Sequence, residues 1–438
     1  MHAALVARPG SCIRQLAQHD RAREIQFTRF LRNDAVTAEE IAAQAAERTA
    51  ERARGRDVVV AQDTSELSLG GRRAKANGYG PVGKGGALRG LLLHAALAVD
   101  ANNGGVIGLV DAKVWNRTGG KARHRRSRTT KQKESQRWLD STKRAAEVLT
   151  EAASVTVVSD RESDIYTHFV DRPSRVHLIV RACQNRRIET GEEEQQQIDL
   201  LFSHIDSLPE AGRLKVKIPA APGRKARSSE LAVRFSAVTL RKPLHGATGL
   251  PATVTLTMVD VRETSTPEGG GKPIHWRLLT THPVTNIAEA RRIVELYRMR
   301  WAIEEYFHTQ KTGGFDIEAA DISDPEVMIR FAAAVAVAAV SVMQLVKARD
   351  GTTDQNLLEV FEPADQPIIE AVSAKLEGKT ARQKNVHPKG SLAFAAWVLA
   401  RLGGWDGYYG KPGPKTMRLG LEAFQSIKFG ATLGLHDV

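Results

Sequence analysis

The chain has 438 residues, with 63 lysines and arginines against 50 aspartates and glutamates, a formal net charge of +13. Hydrophobic residues at 42% and charged residues at 26% exclude wholesale disorder, and the length allows about three domains or one large core with additions. Two cysteines, Cys12 and Cys183, exclude a disulfide framework or a cysteine-built zinc site and fit a reducing cytosol better than secretion.

The opening residues carry no basic stretch followed by a sustained apolar one, so they do not read as a signal peptide. Residues 1–54 read as helical, with Thr37-Ala38-Glu39-Glu40 as a capping-box pattern opening an Ala/Glu-rich helix. Three strands are expected next, over Asp57–Leu67, Arg89–Val99 and Gly105–Trp115, the last following an Asn102-Asn103-Gly104 turn. Residues 117–133 hold Arg117, Lys121, Arg123, Arg125, Arg126, Arg128, Lys131 and Lys133 with no acid among them. Such clustering points to nucleic acid, with a solvated surface loop as the alternative. A helix over about Glu134–Leu149, a strand over Val155–Ser159, a helix from about Ser163 and a strand over Val176–Val180 follow. The first three strands are close enough for antiparallel connections, whereas the later two need helical crossovers, which makes the layout mixed α/β.

Residues 186–275 alternate like β-structure between Gly- and Pro-rich joints and read as an inserted β subdomain. Helical periodicity returns from about Asn286 to Lys311 and from Pro325 to Arg349, and the tail is helical with a Gly/Pro-rich break at Gly403–Lys415. The longest apolar run, Phe331–Val346, falls short of the roughly 18–20 residues that span a bilayer and reads as a buried core helix.

Asp63 and Asp160 each stand at the end of an apolar strand, a setting that fixes carboxylates rigidly and suits Mg²⁺ or Mn²⁺. Either aspartate alone reads more simply as a turn or cap residue. Tyr297, Arg300, Glu304 and Lys311 fall within roughly 60° of one face of a continuous helix at about 100° per residue. A carboxylate on that stripe can complete a metal site while the cations and phenol hold phosphates. An exposed stripe with an Arg300–Glu304 pair fits the spacing equally well. Gly78-Tyr79-Gly80-Pro81-Val82-Gly83-Lys84-Gly85 spells most of a phosphate-binding loop, but lacks the Ser or Thr and precedes a strand, so it reads as a loop facing DNA. His94 on an apolar strand reads as structural.

With these residues in view, the chain resembles the DDE-type cut-and-paste transposases of the IS-four family. That family's signature, Tyr-x2-Arg-x3-Glu-x6-Lys, fits Tyr297, Arg300, Glu304 and Lys311 without a gap. Asp63-Thr64, Asp160-Arg161-Glu162-Ser163-Asp164, Lys133-Glu134-Ser135 with Trp138, and the Ala400–Trp405 and Lys411–Pro414 stretches are similar to further family text. The resemblance implies an RNase H-like core in which Asp63, Asp160 and Glu304 hold two Mg²⁺ ions. It implies hydrolytic nicking at element ends, hairpin formation and strand transfer into target DNA. Tyr297, Arg300 and Lys311 would grip a phosphate, Trp276 would stack on a flipped base, and Arg181 would contact DNA near it. Arg161, Arg125, Arg126 and the 72–75 loop are further expected DNA contacts. Partners implied are double-stranded DNA with terminal inverted repeats, target DNA and a second copy of the chain, in the bacterial cytosol and away from membranes.

The expected division is a helical segment over 1–54, core over 55–185, β insertion over 186–275, core again over 276–349 and a helical dimerisation region over 350–438. Family members usually carry some tens of further residues before the place where this sequence begins. The alternatives carried are therefore a shortened, non-catalytic regulator that pairs with full-length transposase, and a structure-specific nuclease on the same fold.

Overall fold

The computed structural model describes residues 1, 4–5, 13–70, 77–117, 134–190, 197–218, 226–244, 249–265 and 272–433. The 72–75 loop and residues 118–133, which include Arg125 and Arg126, lie outside the described residues.

Three helices lead the described chain: α1 (Ile13–Leu16), α2 (Arg21–Arg32) and α3 (Ala38–Arg52). Thr37 starts α3 by accepting the Glu40 N–H on Oγ1 at 3.1 Å, which satisfies one of the orphan donors of the first turn. Strands β1 (Asp57–Ser68), β2 (Gly80–Val82), β3 (Leu88–Asp100) and β4 (Val106–Trp115) follow. β3 pairs antiparallel with β1 on one edge and with β4 and the short β2 on the other. The turn into β4 is built as expected. Asp100 accepts the N–H of Asn102 at 2.8 Å, and Gly104 takes the positive φ of 78° that suits glycine.

Helix α4 (Gln136–Val148) crosses to β5 (Ser154–Ser159), and the short α5 (Tyr166–Val170) crosses to β6 (Val176–Arg181). β5 runs parallel to β1, and β6 parallel to β5, as connections through helices require. The remaining strands are β7 (Arg187–Thr190), β8 (Gln197–Leu200), β9 (Gly212–Ile218), β10 (Arg227–Arg241), β11 (Thr253–Glu263) and β12 (His275–Thr280), with α6 (Leu201–Ser207) among them. They do not stand apart from the first sheet. β12 adds antiparallel to β6, so that all belong to one 12-stranded sheet.

Helices α7 (Ile287–Arg298), α8 (Trp301–Gln310), α9 (Pro325–Ala348), α10 (Asp365–Leu376), α11 (Leu392–Leu402) and α12 (Pro414–Leu433) complete the chain. The expected single helix from Asn286 to Lys311 is divided. The N–H groups of Met299, Arg300, Ala302 and Ile303 bond to carbonyls three residues back, which tightens the turn between α7 and α8.

Both faces of the central strands are covered. Val58 and Val60 of β1 belong to one core with α4 and α5, while Val59 and Ala61 belong to the other with α7, α8, α9 and α11. This two-sided burial explains why the strand reads as an unbroken apolar run. Helix α9 runs 24 residues, longer than its apolar stretch suggested, so by length and composition it passes for a membrane span. Its burial decides otherwise: residues from Phe331 to Leu345 sit almost wholly inside the second core, among β4, α3, α8 and α11. Leu345 has no exposed surface. Leu345→Ala is therefore expected to cost about 2–5 kcal/mol and to lower the melting temperature followed by circular dichroism.

Candidate active site

Asp63 lies within β1, which runs on to Ser68 opposite β3, and not at a strand end as the sequence suggested; what stops before it is the pairing with β5. The last β1–β5 pair is Ala61 with Val158. Continuing that parallel register two residues puts Asp63 level with Asp160, on strands about 4.8 Å apart. Alternation also settles the face. Asp63 shares parity with Val59 and Ala61, and Asp160 with Val158, all of which face the core that α8 covers.

The third acid, Glu304, lies in the first turn of α8. Arg300, at the start of that helix, donates to Glu304 Oε1 at 2.6 Å and to Asp63 Oδ2 at 3.4 Å. The arginine side chain is 7% exposed, which rules out an exposed salt-bridge stripe. Burial pushes the Asp63 carboxyl from its ordinary 3.8 up to about 6. The Thr64 N–H and Arg300 oppose the rise, whereas the negative charges of Asp160 and Glu304 add to it. Asp160 Oδ1 is buried and accepts no hydrogen bond.

Around the acids stand the remaining residues singled out in the sequence. Tyr297, at the end of α7, is 2% exposed and its hydroxyl has no hydrogen-bond partner. Its ring meets Trp276 of β12 edge to face at 5.8 Å. Arg181, at the end of β6, donates to the His275 carbonyl at 3.2 Å, beside Trp276. Lys311 points toward β1. It donates to the Glu66 carbonyl at 2.6 Å and pairs with Glu318 at 3.3 Å. Arg161 is exposed next to Asp160. The broken helix thus keeps Tyr297, Arg300 and Glu304 together, with the guanidinium 5.9 Å from the Tyr297 ring, but carries Lys311 to separate partners.

Residues 55–340 match the family model described as the transposase DDE domain. The chain belongs to that family. The mixed sheet with its β4-β3-β1-β5-β6 order is accordingly the RNase H-like core of a DDE transposase.

Several residues that support this candidate site gave little signal in the sequence. Arg137 of α4 donates to Thr64 Oγ1 at 2.8 Å and to Glu162 at 2.7 Å, tying the end of the Asp63 segment to the Asp160 loop. It occupies an unspecified place in Lys133-Glu134-Ser135-x-x-Trp138, so only its nearness to Trp138 could have marked it. The Thr64 hydroxyl also meets His94 Nδ1 at 2.9 Å. Burial holds His94 well below the ordinary imidazole range, and it is a structural histidine as expected. Beneath the Asp160 loop, Asp164 accepts two bonds from Arg186, at 3.1 and 2.7 Å, and the N–H groups of Cys183 and Gln184. This ion pair is nearly sealed, with side chains 6% and 0% exposed. The Gly78–Gly85 segment forms β2 and a short turn, with Gly83 N–H donated to Glu66, and opens no helix.

Two consequences follow for stability. A folded-state pKa near 6 at Asp63 means that the folded protein holds a proton which the unfolded chain releases from about pH 4. In metal-free protein its contribution is full below about pH 4, declines as pH rises to about 6 and stays low above, a loss on the order of 3 kcal/mol. Asp63→Asn is expected to lack that decline, so its melting temperature, measured in chelator between pH 4 and 7, overtakes wild type as pH rises. Arg186→Met strands a buried carboxylate and is expected to cost about 3–5 kcal/mol, read as a lower denaturation midpoint.

Proposed function

We propose that this DDE transposase excises and inserts an insertion sequence by cut-and-paste chemistry, and that Asp63, Asp160 and Glu304 are the acids that carry it. The supporting observation is that Asp63 within β1, Asp160 just after β5 and Glu304 at the start of α8 stand near enough to act on one another, with a single arginine bonded to two of them. Their chemistry fits divalent cations. All donors are hard oxygens, Asp160 Oδ1 is buried without a partner, and Asp63 lacks enough positive charge nearby to ionise at its ordinary pH. Asp63, Asp160 and Glu304 would hold two Mg²⁺ ions, for which Mn²⁺ can substitute, and such ions when bound supply Lewis-acid stabilisation to an in-line displacement at phosphorus.

The protein's own residues position the DNA. Arg300 and Lys311 offer cations to the phosphate, with Arg300 able to present two parallel donors. Tyr297, packed on Trp276, provides an apolar wall that ends in a hydroxyl. Trp276 is the residue that stacks on an extruded base, with Arg181 at its side. Arg161, Arg125, Arg126 and the rest of the 117–133 and 72–75 segments make salt-sensitive backbone contacts. Nicking at element ends is followed by hairpin formation, hairpin opening and strand transfer into target DNA, by two copies of the chain on paired ends. Within each copy, residues 1–54 contribute to end recognition, 55–185 and 276–349 form the catalytic core, 186–275 are the inserted β subdomain, and 350–438 pair the copies.

The test is cleavage of DNA carrying the flanking inverted repeats in Mg²⁺ or Mn²⁺. Asp63→Asn, Asp160→Asn and Glu304→Gln are each expected to lower the rate about a thousandfold or more, the weight of several kcal/mol of charge stabilisation. Nicks and hairpins that persist in all three variants would refute the assignment.

A further inference from the structure

Arg300 is a buried cation pressed between two acids. Its amino groups reach Glu304 at 2.6 Å and Asp63 at 3.4 Å, yet its Nε is buried and bonds to nothing. The guanidinium is therefore held by charge at its tips and not by a full set of hydrogen bonds. Asp160 acts on the same arginine electrostatically but gives it no hydrogen bond. Among the described residues, no three His, Cys, Asp or Glu side chains stand close enough together to share an ion. These facts have a common cause. A flat cation occupies the ground between carboxylates that must draw inward to grip a spherical one.

We propose that Arg300 is a displaceable counter-ion, which sits on Asp63 and Glu304 in the absence of DNA and leaves them for a DNA phosphate, so that DNA and divalent metal bind with positive coupling. This rests on the reading of the three acids as metal ligands. Guanidinium bonds to carboxylate and to phosphate are of similar strength, so a phosphate arriving beside Arg300 competes on equal terms. Once the arginine has turned away, only another cation relieves the repulsion among the acids. Two aromatic rings stand near the guanidinium, one buried and one exposed. Its central carbon lies 5.9 Å from the Tyr297 ring and 5.7 Å from the Trp301 ring, and Trp301 is 53% exposed. By linkage, metal tightens DNA binding by the same factor as DNA tightens metal binding.

A fixed counter-ion would behave in the opposite way, because removing it would splay the acids and weaken metal binding. The two are separated by titrating Mn²⁺, followed by electron paramagnetic resonance, with and without a blunt DNA duplex of arbitrary sequence at low salt. Without DNA, Arg300→Gln is expected to bind Mn²⁺ on the order of ten- to a hundredfold more tightly than wild type, the weight of one charge-assisted hydrogen bond. Duplex is expected to raise the wild-type affinity by a comparable factor and to leave that of the variant unchanged. Arg300→Lys, which keeps the charge but loses the planar fork, is expected to fall between them, and supplies the same ordering should the glutamine variant fail to fold. Mn²⁺ binding in Arg300→Gln no tighter than in wild type overturns the proposal, as does an equal effect of DNA on both. Asp63→Asn keeps the two readings distinct. Loss of its Mn²⁺ binding supports the carboxylate site on which the proposal stands, whereas full binding overturns that site and the coupling together.

Discussion

Like charges held close together are the constraint on which this structure turns. The parallel pairing of β1 with β5 stops just before Asp63 and Asp160, and the start of α8 brings Glu304 to the same arginine that Asp63 meets. Burial, with the negative charges of Asp160 and Glu304 added, disfavours the ionised form of Asp63. The elevated Asp63 carboxyl is the visible result, and Arg300 is the only cation that the structure shows bonded to two of the three acids, among the described residues. A site under such repulsion relaxes outward unless its supports are stiff.

The supports are themselves paired, and the Asp164–Arg186 pair among them is buried. Arg137 joins the Thr64 hydroxyl to Glu162, and Asp164 is enclosed by Arg186 and two backbone N–H groups. Both links hold the segment that follows β5, where the ladder hydrogen bonds stop, one of them against β1 beside Asp63. On the opposite side, α8 is seated on the apolar α9, with the Tyr306 hydroxyl donating to the Ala336 carbonyl at 2.7 Å. The core helix therefore sets the height of Glu304 above the sheet.

The long interval between Asp160 and Glu304 is bridged by the sheet itself. Antiparallel addition of β12 to β6 returns the chain beside the strand that follows the Asp160 loop, and places Trp276 against Tyr297. A subdomain on a free tether would not hold an aromatic at that distance from the acids. Pairing in one sheet does, because strand register allows side chains to move only in steps of a whole residue.

How much of this was legible beforehand differs with the range of the interaction. The strands around Val58–Ala61 and Val155–Val158, the capped helix after Thr37 and the apolar helix near Phe331 declare themselves through period and composition, which are properties of neighbours in the chain. The spacing from Tyr297 to Lys311 marked candidate residues, of which Tyr297, Arg300 and Glu304 stand together, and the chain belongs to a family whose model covers residues 55–340. The break between α7 and α8 left no such mark, since neither proline nor glycine stands there and Arg300 turns toward an acid more than two hundred residues away. Arg137 and Arg186 were invisible for the same reason: an arginine in a sequence looks exposed until a distant carboxylate is brought to it. Local periodicity determined the elements and the list of candidate acids, whereas which charges meet, which are buried and which cation stands between them were decided only by the pairing of β1 with β5 and the docking of α8.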